Sequence, residues 1–126
     1  HHYTDSEYDA LKSEKDLLND IVKLNKYQIL VSSETISQPA RYYTYWTFSV
    51  KYAGYISVNV EFSTTTNTYV QVVYSAYGVN FDNTITVGVS GIAVFPVLPS
   101  NNIQVRVGNT NLLGGATETV TVIYYY

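Results

Sequence analysis

From Tyr27 onward, apolar residues recur at every second position, and that period confines most of the chain to β-strands with one buried face. Over residues 42–52, Trp46, Phe48, Val50 and Tyr52 share one face, with Trp46 expected in the core, while Tyr43, Tyr45, Thr47 and Ser49 share the other. Ile56, Val58, Val60 and Phe62 then alternate with Tyr55, Ser57, Asn59 and Glu61. The tract Thr64-Thr65-Thr66-Asn67 predicts a turn after them, so residues 55–75 read as a hairpin whose return strand points Val70, Val72 and Tyr74 inward. Residues 78–83 read as a loop, and further strands are predicted over 85–89, 92–95, 103–107 and 117–126. Pro96 and Pro99 restrict their surroundings to a sheet edge or a connection, because proline has no N–H for a ladder. About eight short strands punctuated by Gly, Asn, Ser and Pro predict an antiparallel β-sandwich, with jelly-roll connections, over residues 28–126.

Before Tyr27 the period is different. Ser6-Glu7-Tyr8-Asp9-Ala10-Leu11-Lys12 and Ser13-Glu14-Lys15-Asp16-Leu17-Leu18-Asn19 are one seven-residue unit written twice. A repeat of seven keeps one apolar seam facing a partner helix, so residues 3–27 are predicted to form a coiled-coil helix, the end of a stalk. One seam runs Tyr8, Leu11, Lys15, Leu18, Val22, Asn25, Ile29 and a second Ala10, Glu14, Leu17, Ile21, Leu24. The two together make the apolar face widest from Leu17 to Leu24, which favours a trimer over a dimer. Tyr8, Leu11, Leu17, Leu18, Ile21, Val22 and Leu24 are the predicted oligomerisation residues. The alternative is an amphipathic helix packed on its own β-domain.

Charge is divided as unevenly as pattern. Residues 1–34 carry seven acids and four lysines, whereas the remaining 92 residues hold Arg41, Lys51, Glu61, Asp82, Arg106 and Glu118. A surface wetted by hydroxyls and carboxamides hardly titrates, and such a domain loses little when acidified. With a net charge of -3 and no clustered basic face, nucleic acid is excluded as a partner. Apolar runs such as Ile92-Ala93-Val94-Phe95 are strand-sized, so no membrane insertion is expected from this chain. His1-His2 reads as a tag remnant, and the native chain is expected to begin earlier.

The inventory for chemistry is thin. There is no cysteine and no histidine after His2, so neither a serine nor a cysteine hydrolase triad can be assembled. Glu61, Asp82 and Glu118 supply the carboxylates a glycosidase pair needs, but Glu61 and Glu118 are predicted to point in different directions; they read as solvated charges that discourage edge-to-edge pairing. Asn80, Asp82 and Asn83 are possible calcium ligands outside any EF-hand pattern. No catalytic residue, metal or cofactor is expected, and the chain reads as non-enzymatic. The candidate binding residues are aromatic: Tyr43, Tyr45, Tyr55 and Tyr69 fall on polar strand faces, and Tyr125 faces outward within the closing Tyr124-Tyr125-Tyr126. Rings with hydroxyls at their rims suit a glycan or a surface protein as ligand.

The runs Tyr45-Trp46-Thr47-Phe48-Ser49-Val50, Ala53-Gly54-Tyr55-Ile56-Ser57-Val58, Tyr69-Val70-Gln71-Val72-Val73-Tyr74-Ser75, Phe95-Pro96-Val97-Leu98-Pro99, Val105-Arg106-Val107-Gly108-Asn109 and Thr119-Val120-Thr121-Val122-Ile123-Tyr124 resemble the C-terminal β-domains of secreted or cell-surface proteins of thermoacidophilic crenarchaea, the Sulfolobus group. That resemblance implies an extracellular, hot and acidic setting and a head carried on a heptad stalk. Expected function is therefore a binding or structural head acting by multivalent display. An accessory carbohydrate-binding module of a secreted hydrolase, or a structural subunit of a filament or virus particle, are the alternatives.

Overall fold

Each alternating run becomes a strand in the computed structural model, which describes residues 26–126. The eight strands are β1 (Tyr27–Gln38), β2 (Tyr43–Val50), β3 (Gly54–Glu61), β4 (Thr68–Ala76), β5 (Val79–Thr86), β6 (Gly91–Val97), β7 (Ser100–Asn109) and β8 (Ala116–Tyr125). They form two four-stranded sheets, ordered β1-β8-β3-β6 and β2-β7-β4-β5, with every pairing antiparallel. First pairs with last, second with seventh, third with sixth and fourth with fifth, as though one long hairpin had been rolled up. The predicted helix over 3–27 and all seven oligomerisation residues lie outside the described residues, apart from its last two positions. There Tyr27 already opens β1, and Ile29, counted on the heptad seam, pairs with Ile123 instead.

The core lies between the sheets. Ile56, Val58, Val60, Val120, Val122 and Phe95 from one sheet meet Val70, Val72, Ile103, Val105 and Val107 from the other, all buried. Burial of each such side chain stabilises the fold by roughly 1.5–3 kcal/mol, and small β-branched residues let two sheets approach closely. Trp46 was expected in this core and is only partly buried, because β2 is an edge strand and the indole covers one side of the cluster.

Three other expectations fail for reasons of long-range pairing. Residues 55–75 are not a hairpin: β3 pairs with β6 and β8, β4 with β5 and β7, and residues 62–67 cross from one sheet to the other. The hairpin is β4 with β5, and the predicted loop over 78–83 is mostly strand. Its two-residue turn is Tyr77-Gly78, both at positive φ (52° and 75°), the backbone twist that a tight antiparallel turn demands and that glycine accepts freely. Glu118, read as a solvated charge, points into the sandwich and is 1% exposed. On β1 the alternation breaks between Val31 and Glu34, where Ser33 sits at φ 45° in a bulge; Val31 and Ile36 are both buried although they are of opposite parity.

The two ends of the sandwich differ. Lys26 and Tyr126 exchange backbone hydrogen bonds of 3.0 and 2.9 Å, so Lys26 lies at the end that also holds residues 51–53, 77–78 and 98–99. The closing tyrosines hold that end together. Tyr126 stacks against Tyr52 and Tyr124, at 5.6 and 4.8 Å between centroids. The Tyr124 hydroxyl accepts from Tyr52 N–H at 3.1 Å and donates to the Tyr52 carbonyl, while burial pushes its pKa up. At the far end Asn109, almost fully buried, accepts from the N–H groups of Arg41 and Asn111 and donates to the Pro39 carbonyl.

Candidate binding face

Strand alternation points half of the β2-β7-β4-β5 sheet away from the core, and register decides which of those outward residues become neighbours. Tyr43 and Tyr69 both lie opposite Gly108; Tyr45 and Gln71 lie opposite Arg106; Val73 lies opposite Gln104 and Asp82. Gly108 is what allows the first row to close up. A Cβ there would come within 2.5 Å of the Tyr42 carbonyl oxygen and 2.6 Å of Tyr43 Cβ, so only glycine fits beneath the tyrosine.

Around that gap a polar and aromatic cluster is built. Tyr43 and Tyr45 meet edge to face with centroids 6.1 Å apart, and the Arg106 guanidinium lies over the Tyr43 ring at 4.7 Å. Arg106 Nε donates to Gln104 Oε1, and Nη1 to Gln71 Oε1 at 3.4 Å; Gln71 Nε2 donates to Asp82 Oδ1 at 2.8 Å. Burial pushes the Tyr69 hydroxyl pKa up, with Tyr43 adding to the rise and Arg106 opposing it. Two depressions flank the Arg106–Gln71 pair. One, of about 500 Å³, is lined by Asn80, Asp82, Asn102, Gln104 and Arg106 among others. The second, of about 490 Å³, is lined by Arg41, Tyr69, Gln71, Thr84, Thr86, Asn109 and Thr110. Tyr43 and Tyr69 sit toward the end remote from Lys26.

The five candidate tyrosines are thus not one row. Tyr43, Tyr45 and Tyr69 share this face, whereas Tyr55 and Tyr125 lie opposite each other on the outer face of the other sheet, where Tyr125 meets Tyr27 at 6.4 Å. Among the described residues, Tyr55 and Tyr125 have no arginine or acid beside them in that register, and their pairing is of the cross-strand kind that stabilises a sheet. Arg106, Gln104 and Gln71 were not expected at a site, and Asp82 was considered only as a calcium ligand or one of a carboxylate pair. A signal did exist: Arg106 interrupts Ile103, Val105 and Val107 at an outward position in a region almost without charge. The three residues considered for calcium do not converge, since Asn80 and Asp82 face outward while Asn83 has the opposite parity and lies across from inward-pointing Val72. Among the described residues no group of three metal-binding side chains occurs, and no helix is long and apolar enough to cross a membrane.

No protein-family model matches the chain, and a search of curated proteins returns no relative.

Proposed function

We propose that the chain is a non-enzymatic binding head with a jelly-roll fold, carried outside the cell on an oligomerising stalk formed by the residues before Lys26. Its ligand-binding surface is the outer face of the β2-β7-β4-β5 sheet. The observation that carries this reading is the convergence of Tyr43, Tyr45, Tyr69 and Arg106 around side-chain-free Gly108, a cluster that leaves the core untouched and opens to solvent. Entry of the N-terminal segment at the opposite end supports it, because a stalk arriving at Lys26 holds the cluster outward. A trimeric stalk raises effective concentration at the second and third contacts, so three weak faces act together without any new contact. The scarcity of titratable groups suits an acidic extracellular setting.

Sedimentation equilibrium, together with binding to an immobilised polysaccharide, tests the reading with the whole chain and a chain beginning at Lys26. The expected result is a trimer that binds on the order of a hundredfold or more tighter than a monomeric truncation. Equal masses and equal affinities would remove the stalk and the avidity mechanism. They would leave a single-chain carbohydrate-binding module.

A further inference from the structure

The open face carries an excess of positive charge centred on Arg106. Arg106 hydrogen-bonds to two carboxamides, Gln104 and Gln71, and those partners orient a guanidinium without neutralising it. Its plane is held against Tyr43. Of the five N–H donors of an arginine, two are committed here, and one on Nη1 and both on Nη2 remain, the fork that grips a carboxylate bidentately. The one acid of this cluster, Asp82, is engaged by Gln71 Nε2. With Arg41 lining the second depression, the face carries two guanidinium groups against one carboxylate, on a chain whose net charge is -3.

Resting on the reading of this face as the binding surface, we infer that its ligand is an acidic saccharide, a chain containing hexuronic acid residues. The ring carboxylate docks on Arg106, and the sugar face lies on Tyr45, which is 57% exposed and directly opposite Arg106 in the register. The neighbouring groups suit sugar hydroxyls. Asp82 accepts, Asn80, Gln104 and Asn102 offer both donor and acceptor atoms, and Thr84 and Thr86 continue the strip on the other side. An acidic peptide shares the carboxylate and has the free edge of β5 open to it, but Gln71, Asn80, Asp82, Asn102, Gln104 and Thr84 offer the hydroxyl, carboxamide and carboxylate partners that a run of sugar hydroxyls uses and a glutamate chain does not.

Titration of the 15N-labelled whole chain with trigalacturonate, with maltotriose as its neutral counterpart and with a hexaglutamate peptide tests this. Trigalacturonate is expected to shift the amides of residues 69–71 and 104–108 and to bind at least tenfold tighter than maltotriose, with that ratio falling toward one when the uronate is protonated near pH 2. Arg106→Gln is expected to collapse the ratio as well, and Arg106→Lys, which keeps charge but loses the fork, to reduce it; dispersed amide spectra of both variants separate the effect from misfolding. Equal binding of both trisaccharides on these amides overturns the acidic assignment and leaves the binding face standing. Hexaglutamate binding as tightly, with the same Arg106 dependence, overturns the saccharide assignment. Shifts confined to another surface, or none with any probe, overturn both the inference and the choice of face.

Discussion

Glu118 makes the fold itself sensitive to pH, in the direction opposite to most carboxylates. Its side chain is buried between Ala116 and Val120 on β8, and among the described residues neither carboxylate oxygen has a hydrogen-bond partner. Gln38 is buried as well; its Nε2 donates to Thr44 Oγ1 at 3.0 Å, which leaves Gln38 Oε1 without a donor. A proton on Glu118 turns an orphaned acceptor into a donor. Burial accordingly raises the pKa of Glu118 above its ordinary 4.5, with Gln38 opposing the rise only in part. Because the folded-state value is raised, the folded protein binds more protons than the unfolded chain between about 4.5 and the raised value. This group's contribution is therefore complete below pH 4.5 and is lost as pH climbs, at about 1.4 kcal/mol per pH unit, until the folded-state pKa is passed. Glu118→Gln removes the titration and supplies an amide donor to the same pocket. It is expected to be more stable than wild type at pH 7 by about 1–3 kcal/mol, the usual cost of a buried unsatisfied polar group. Melting temperature should rise by about 4–8 °C for each kcal/mol in a domain of this size. Urea unfolding of both proteins at unit steps from pH 3 to 8 reads the difference directly, and the subtraction cancels every other acid. A difference that stays constant over this range, or a glutamine variant less stable at pH 7, refutes the reasoning.

Other outcomes follow from single contacts. Asn109→Ala removes two hydrogen bonds that join the β1–β2 turn to the end of β7 and a third from the Asn111 N–H, and should cost about 3 kcal/mol at roughly 1 kcal/mol per bond, measured by denaturant unfolding. Phe95→Ala empties the largest fully buried side chain and should cost about 3–5 kcal/mol in the same assay. Gly108→Ala places a methyl group against the Tyr42 carbonyl and Tyr43 Cβ; the amide resonances of Tyr43, Tyr45 and Arg106 should shift while those of Val58 and Val122, in the other sheet, stay in place.

What a period of two determines is which residues of a strand share a face. It was enough to separate the inward Val70, Val72, Val120 and Val122 from the outward Tyr43, Tyr45, Tyr55 and Tyr69, and to predict a sandwich of about eight strands. Parity carries no information about which strand lies alongside. Residues 62–67 looked like a hairpin turn, yet the chain uses them to change sheets, because two sheets stacked over one core bury the inner faces of both β3 and β4, which a lone hairpin leaves half exposed. Once that choice is made, the rest is set by distant partners. Tyr45, Arg106 and Gln71 become one row only because β7 lies between β2 and β4, and the candidate tyrosines divide because β2 and β4 share a sheet while β3 and β8 share the other. Glu118 shares the parity of Val120 and Val122, so its strand already placed it on the inner face; it looked like a surface acid because a carboxylate is rarely buried without a partner. The sheet packed over β8 decided the matter, taking water away from a carboxylate that the strand alone would have left in it.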